Sequence, residues 1–280
     1  MSGSLVIRLA IIALIGLSPL QFAHGVTLSF DDKDPVEVTG PWSFYWKEFI
    51  PTGSTPEYAP NALTTLPGSW TNLQVDGEAL PPTGFASYRL VLELGPDRPD
   101  ALVLRVPMVY SAYRLFVDGE LVAQVGEPAT TEAKARPDYG EHRIQLPDPG
   151  PRIELVLHVS NFSARSAGVP KPIEIGTPAG LHSAWATELM STAALAGGLL
   201  LMGISQLILF VLRRRELAYL FFGLTVFFWS IQTILSGQLM EHAGWHIPVY
   251  IARPLDGFSA LATGAAYLFF ISALFPRELP

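Results

Sequence analysis

Aromatic and charged side chains between residues 70 and 118 are the part of the chain best suited to bind a ligand. Trp70 and Tyr113 could provide flat faces on which a sugar ring stacks. Arg89, Arg114 and Asp118 could add directional hydrogen bonds to the same ligand. The alternative interpretation is that the aromatic residues belong to a hydrophobic core and that both arginines lie on a solvated face. The sequence therefore predicts a binding surface at these five residues, with core packing as the alternative.

Other kinds of chemistry leave little trace in the sequence. The absence of cysteine excludes disulfides, thiolate metal sites and cysteine nucleophiles. His142, His158 and His182 lack the spacing of metal ligands, and there is no nucleophile elbow, phosphate loop or dinucleotide fingerprint. A pair of carboxylates for glycoside hydrolysis stays open, although no two acidic residues stand out. The sequence predicts binding rather than catalysis, with no metal and no cofactor.

Charge and hydropathy divide the chain into two halves. Residues 26–188 contain 21 acidic and 12 basic residues, a net charge of −9, whereas the remaining residues carry a net charge of +2. An acidic domain without a Lys/Arg cluster repels phosphate backbones, so nucleic-acid binding is excluded. Only 15% of the residues are charged and 49% are hydrophobic, which is too apolar for an ordinary soluble protein and indicates membrane segments.

The first 25 residues have the pattern of a secretory signal peptide. Arg8 precedes a short apolar run, and the small residues Ala23 and Gly25 stand at the positions that signal peptidase requires. The run is short for a bilayer about 30 Å thick, so cleavage before Val26 is favoured over an uncleaved anchor. The mature chain is predicted to begin outside the cytoplasm.

Residues 26–180 are predicted to form an all-β domain. Apolar residues recur with period two between Gly, Pro, Asn and Asp breaks, and no helical stripe is present before residue 181. Asp118-Gly119 between two alternating segments is typical of a tight hairpin, because both residues tolerate positive φ. About eight strands are expected, in a jelly-roll-like sandwich. Two strands are expected to bury one face each. The buried residues are Tyr88, Leu90, Leu92 and Leu94 in the first strand, and Ile153, Leu155, Leu157 and Val159 in the second.

The order of several short motifs carries a family resemblance. These are Trp42-Ser-Phe-Tyr-Trp46, Leu66-Pro-Gly-Ser-Trp70, Ser87-Tyr-Arg-Leu90, Tyr110-Ser-Ala-Tyr-Arg-Leu-Phe-Val-Asp-Gly119 and Val159-Ser-Asn-Phe162. They resemble the extracellular module of bacterial seven-transmembrane receptors with diverse intracellular signalling modules, which is similar to galactose-binding-like jelly rolls. The resemblance covers residues 40–176 and continues into the membrane region. It implies a periplasmic domain that binds a small ligand, such as a carbohydrate.

The C-terminal third is predicted to cross the membrane three times, at residues 189–212, 217–235 and 255–275. The first segment is long enough at 1.5 Å per residue to span the bilayer, and it ends in Arg213-Arg214-Arg215. Positive charges at the end of a span favour the cytoplasmic side. The chain is therefore expected to be a multi-pass protein of the bacterial inner membrane, with its C-terminus in the cytoplasm. Arg253 and Asp256, three residues apart on the third helix, are expected either to couple the β domain to the helices or to form an interfacial ion pair.

The resemblance implies the sensory half of a receptor whose helical bundle is truncated here. A complete relative would carry four more helices and a cytoplasmic output module, none of whose motifs occurs in this chain, and it would act as a homodimer. Two alternatives stay open: a membrane-tethered carbohydrate-active enzyme, and a carbohydrate-binding or envelope protein that only uses its helices as an anchor. The expected partners are the lipid bilayer, a small ligand and a second copy.

Overall fold

Two β-sheets packed face to face form the N-terminal part of the chain in the computed structural model, which describes residues 25–28, 30, 35–54, 56–96, 98–138, 140–147, 149–236 and 249–275. The predicted signal peptide lies outside the described residues, apart from Gly25. The described strands are β1 (Gly25–Thr27), β2 (Val36–Glu37), β3 (Trp42–Trp46), β4 (Ala62–Thr64), β5 (Gln74–Val75), β6 (Glu78–Ala79), β7 (Gly84–Glu93), β8 (Ala101–Val106), β9 (Ala112–Val117), β10 (Glu120–Val125), β11 (His142–Pro147), β12 (Arg152–Asn161) and β13 (Glu174–Gly176).

The larger sheet has the strand order β10-β9-β12-β7-β3-β4, with β1 added in parallel to β7. Its centre is the antiparallel pair of β7 and β12, two ten-residue strands in which Leu90 lies opposite Leu155. The smaller sheet has the order β11-β8-β13-β2, and β5 and β6 form a separate hairpin. The chain thus forms the predicted β-sandwich.

The core lies between the two sheets. The alternating residues of β7 and β12 that were predicted to be buried are all inside it, and they pack against Leu102, Leu104 and Val106 of β8. Period-two alternation places one set of side chains on each face of a strand, so a single stripe of Leu, Val and Ile is enough to bury one face.

The predicted hairpin joins β9 to β10. Asp118 and Gly119 have φ values of 49° and 88°, the left-handed conformation that a two-residue hairpin turn needs. Asp118 is also tied to β12, because its Oδ1 accepts a hydrogen bond from the Glu154 backbone N–H at 2.7 Å. The hairpin prediction is confirmed.

Three helices follow the sandwich in the described residues: α1 (Pro178–Leu212), α2 (Leu217–Ser236) and α3 (Val249–Leu274). Pro178–Leu212, Leu217–Leu235 and Pro254–Leu274 are long and apolar enough to cross a membrane. The helix α1 begins eleven residues before the predicted span. Its start follows local sequence rules, since the Thr177 hydroxyl caps it by accepting from the Gly180 N–H and proline occupies the first turn.

Small and aromatic residues join the three helices. A Cβ added at Gly203 of α1 would lie 3.2 Å from the backbone of Gly223 on α2, so both glycines allow close approach. The Ser230 hydroxyl of α2 donates to the Ala196 carbonyl of α1 at 2.9 Å. Paired phenylalanine rings connect α2 to α3: Phe221 with Phe269, and Phe222 with Phe270.

Candidate functional site

Trp70 and Tyr113 are core residues in the structure. Trp70 is 1% exposed, and its indole Nε1 donates to the Pro81 carbonyl at 2.9 Å. Tyr113 is fully buried, and burial raises the pKa of its hydroxyl. Neither ring presents a free face to solvent, so the alternative of core packing describes both residues.

The two arginines have different surroundings. Arg89 is 6% exposed and its Nε donates to Glu154 Oε1 at 2.6 Å. Arg114 is partly exposed, and its Nε donates to Gln124 Oε1 at 3.0 Å. The alternative interpretation, a solvated face for both arginines, is correct for Arg114 and wrong for Arg89, which is buried in an ion pair with Glu154.

The five predicted ligand residues do not form one surface. Asp118 lies beside Glu154, near the start of β12. The loop that contains Trp70 lies near the other end of this strand, because Gly68 pairs with Val169, which follows β12 in the chain. Their shared binding role stays a prediction. Asn161, at the end of β12, is a structural loop residue, since its Nδ2 lies 2.8 to 3.0 Å from three carbonyl oxygens.

Residues 47–50, here named the strap, cover the outer face of the larger sheet. The Ile50 N–H donates to the Ser87 hydroxyl at 3.1 Å, and that hydroxyl donates to the Glu48 carbonyl at 2.7 Å. Ile50 is 1% exposed and packs with Tyr45, Val156 and Phe116 in a second apolar cluster. The expectation that β7 and β12 bury only one side is therefore wrong.

His158 lies under the strap between two aromatic rings. Its ring centroid is 4.8 Å from that of Phe49 and 4.9 Å from that of Phe116, and its Nε2 lies 3.0 Å from the Ile50 carbonyl. Burial lowers the pKa of His158 to about 4, with a smaller contribution from the Arg114 charge, against the opposing effect of the hydrogen bond to Ile50. The imidazole is neutral near pH 7 and donates its Nε2–H to the strap.

A cluster of charges occupies the outer face of the smaller sheet. Arg105 Nη2 lies 2.8 Å from Glu141 Oε2 and 2.9 Å from Glu188 Oε2, and its Nη1 lies 3.2 Å from Glu174 Oε2. Arg143 Nη2 adds a contact of 3.1 Å to Glu141. These five residues are named the Arg105 cluster. Glu188 belongs to α1, whereas the other four belong to the sheet or the residue next to it, so the cluster joins the sandwich to the first helix.

The electrostatics of the Arg105 cluster favour the ionised form of Glu141. Burial alone would raise the pKa of Glu141, but hydrogen bonds and charges from Arg105 and Arg143 outweigh burial and lower it below its ordinary value. Glu141 is therefore a poor proton donor near neutral pH. The Arg105 Nε is buried and has no hydrogen-bond partner among the described residues. The cluster is an ionic contact suited to holding two elements together.

Two further contacts hold the start of α1 against the smaller sheet. The Arg143 guanidinium lies 4.9 Å from the centre of the Trp185 ring, a distance at which cations attract aromatic faces. Leu181 is 3% exposed and lies near Gly176, where an added Cβ would be 3.7 Å from its Cγ. Sequence reasoning missed the contact between Arg105 and Glu188, because 83 residues separate them in the chain.

The predicted coupling pair on α3 is only partly described. The Arg253 side chain lies outside the described residues. One carboxylate oxygen of Asp256 is buried without a hydrogen-bond partner in the part of the chain that the structure describes, and its backbone carbonyl accepts from the Ser259 hydroxyl at 2.8 Å. The role of this pair stays a prediction, and the observed contact between sandwich and helices lies at the Arg105 cluster.

An open cavity of about 390 Å³ lies beside the edge strand β4. It is lined by uncharged residues: Pro41, Leu63, Thr64, Thr65, Pro67, Gly68, Ser69, Asn72 and Leu73. Hydroxyl and amide groups in such a lining can bind a neutral polar molecule. No group of three or more His, Cys, Asp or Glu that could hold a metal ion occurs among the described residues.

The sequence matches no protein-family model and no curated protein. Solved structures similar to the chain include a GH2 β-galacturonidase from Eisenbergiella tayi, with 18% identity, a TM-score of 0.37, and coverage of 52% of this chain and 25% of the enzyme. A β-glucuronidase from Faecalibacterium prausnitzii has 15% identity and a TM-score of 0.40, with coverage of 57% and 32%. A putative β-galactosidase from Bacteroides fragilis has 16% identity and a TM-score of 0.35, with coverage of 51% and 23%. The chain thus spans between about a quarter and a third of the length of these glycosidases.

Proposed function

We propose that the chain is the sensory half of a bacterial membrane receptor. In this proposal a galactose-binding-like jelly roll outside the cytoplasmic membrane binds a small ligand, and α1 carries the resulting change across the bilayer. The resemblance of the motifs in residues 40–176 supports the receptor class. A sandwich followed by three membrane-capable helices is compatible with it.

The observation that carries the proposal is the direct connection between sandwich and helix. Strand β13 ends at Gly176, Thr177 caps α1, and the helix runs without interruption from Pro178 to Leu212. Residues 174–212, all of which the structure describes, contain no flexible linker. A simple membrane anchor does not need such a connection. A receptor does, because a flexible linker would not transmit a movement of the sheet to the helix.

The charges at the far end of α1 support the proposed orientation. Arg213, Arg214 and Arg215 are exposed in the turn between α1 and α2, where the positive-inside rule places the cytoplasm. The sandwich then lies on the periplasmic side, in agreement with the predicted signal peptide.

The cavity beside β4 is the proposed ligand site. Its volume falls within the range of small-molecule sites, and its uncharged lining favours a neutral, hydroxylated ligand such as a sugar over a phosphate or a carboxylate. Ligand binding can shift the receptor only if its affinity differs between two arrangements of sandwich and helix.

A ligand screen combined with a distance measurement tests the proposal. Because the chain has no cysteine, Leu121→Cys on β10 and Thr187→Cys on α1 provide two exposed sites for nitroxide labels. The labelled full chain in lipid nanodiscs is screened with sugars, cell-wall fragments and small carboxylates. At 100 times its dissociation constant, a ligand should stabilise the protein by about 2.7 kcal/mol and should change the distance distribution between the labels.

The controls separate the proposed receptor from its alternatives. Asn72→Ala in the cavity should abolish the stabilisation, whereas Gln145→Ala on the exposed face of the other sheet should retain it. A ligand that stabilises the chain without changing the label distance would favour a carbohydrate-binding anchor protein. Release of reducing sugar from an added oligosaccharide would favour the carbohydrate-active enzyme. Stabilisation by none of the compounds would count against a sensor of small ligands.

A further inference from the structure

We propose that the Arg105 cluster is a releasable latch, in which Glu188 of α1 leaves and rejoins Arg105 while Glu141 and Glu174 stay bound to it. This inference rests on the proposed function in one respect: it names the contact whose opening would regulate signalling. The opening itself is a property of the charges and contacts around Arg105.

The first argument is the balance of charge. Three carboxylates share Arg105, and the only other cation in the cluster, Arg143, contacts Glu141. The cluster therefore has a net charge of −1. Glu141 and Glu188 bind the same nitrogen, Nη2, so their negative charges repel each other at short range. Loss of Glu188 removes this repulsion and leaves Arg105 neutralised.

The second argument is the unequal burial of the three acids. The exposed fractions of the side chains are 10% for Glu141, 21% for Glu174 and 41% for Glu188. A partly exposed carboxylate exchanges its protein partner for water at little cost, whereas a buried one does not. Glu188 is therefore the acid that can leave, and it is the one on the helix.

The third argument concerns the other contacts between α1 and the sheet in the described residues, which are few. Apolar burial on the sandwich side of the helix includes Leu181, which lies near Gly176, and Trp185 adds the contact with Arg143. The Arg105 Nε remains without a hydrogen-bond partner in the described part of the chain. A buried ionic network with an unsatisfied donor is a poor source of stability, which favours a role in switching.

Two substitutions of the same chemical kind test the latch in opposite directions. Glu188→Gln removes the charge that attracts α1 to Arg105, so the ratio of docked to undocked helix should fall by about tenfold, which corresponds to about 1.4 kcal/mol. Glu174→Gln keeps an oxygen acceptor for Nη1 but removes a charge that competes with Glu188, so the same ratio should rise or stay saturated. The ratio is read from the distance distribution between labels at Leu121→Cys and Thr187→Cys in nanodiscs without ligand.

Thermal unfolding of each variant shows whether the sandwich remains folded. If Glu188→Gln keeps the unfolding temperature but broadens the distance distribution, and Glu174→Gln does not broaden it, the latch is supported. Identical distributions in the parent and in Glu188→Gln would overturn it, as would equal broadening in both variants.

The latch and the receptor can fail separately. Undocking in Glu188→Gln with no response to any ligand would leave the latch standing and refute the sensor. A distance change on ligand binding that is the same in the parent and in Glu188→Gln would leave the sensor standing and refute the latch.

Discussion

Each sheet of the sandwich has a segment packed on part of its outer face, and different chemistry holds the two segments. The strap covers the larger sheet through buried apolar side chains and neutral hydrogen bonds to Ser87 and His158. The start of α1 contacts the smaller sheet through the ions of the Arg105 cluster, the Arg143–Trp185 contact and the buried Leu181. Apolar burial does not depend on a charged partner, whereas an ionic contact weakens when water, salt or protons compete for it.

This difference assigns different roles to the two coverings. The strap completes the fold of the sandwich and is expected to open only when the domain unfolds. The contact of α1 is expected to open while the domain stays folded. Three experiments test this comparison, in order of decreasing expected effect.

The largest effect is expected for the strap. Ile50→Ala removes a fully buried side chain from the cluster with Tyr45 and Val156, and cavity formation should lower the free energy of unfolding by about 2 to 5 kcal/mol. Denaturant unfolding of the full chain in nanodiscs, followed by tryptophan fluorescence, measures the loss. Leu121→Ala, at a side chain that is 53% exposed, should change the same free energy by less than about 0.5 kcal/mol. Equal effects of the two substitutions would show that the strap does not belong to the core.

A second experiment uses the neutral imidazole under the strap. The pKa of His158 is about 4 in the folded protein and about 6.5 in the unfolded chain, so the unfolded chain takes up the proton first as the pH falls. The stability that this histidine contributes is present above pH 6.5 and is lost between pH 6.5 and about 4. The expected loss is on the order of 3 kcal/mol.

His158→Gln provides the control for this pH dependence. The amide of glutamine can still donate to the Ile50 carbonyl but does not titrate in this range. The variant should therefore lose less stability than the parent between pH 6.5 and 4 in the same unfolding measurement. Parallel pH profiles for the two proteins would mean that His158 is not buried in its neutral form.

The smallest effect is expected for salt. Raising NaCl from about 0.1 M to about 1 M shortens the screening length from about 10 Å to about 3 Å and weakens the bond from the partly exposed Glu188 to Arg105. The ratio of docked to undocked α1, measured with the same pair of labels, should fall several-fold. The difference between the free energies of unfolding of the parent and of Ile50→Ala should be the same at both salt concentrations. If that difference disappears at high salt, ionic interactions also hold the strap on the sheet.

The parts of the fold that repeat a local pattern could be predicted from the sequence. Alternation identified β7 and β12, Asp118-Gly119 identified the hairpin, and apolar length identified the three helices. The start of α1 was missed because its first turns are less apolar than the rest, although Thr177-Pro178 is a readable start signal.

The candidate site could not be predicted, because it depends on contacts between distant parts of the chain. The residue types of Trp70 and Tyr113 suit ligand stacking, but burial of an aromatic ring depends on which loops close over it, and both rings are buried. Strand alternation places Arg89 on the face opposite the core, and the irregular strap that packs on this face has no period to detect. The Arg105 cluster joins four segments, and no spacing rule connects them.

The unbroken length of α1 has a mechanical consequence. Thirty-five residues at 1.5 Å per residue make a rod about 52 Å long. If the docked end is the pivot, a tilt of about 5° at the sandwich would move the opposite end by about 4 to 5 Å. The helix would then act as a lever arm, converting a small change in side-chain geometry at one end into a displacement comparable to one helical turn at the other. The loss of one hydrogen bond at Glu188 is small on the scale of the domain, but at Arg213 it would be large enough to change how neighbouring helices pack.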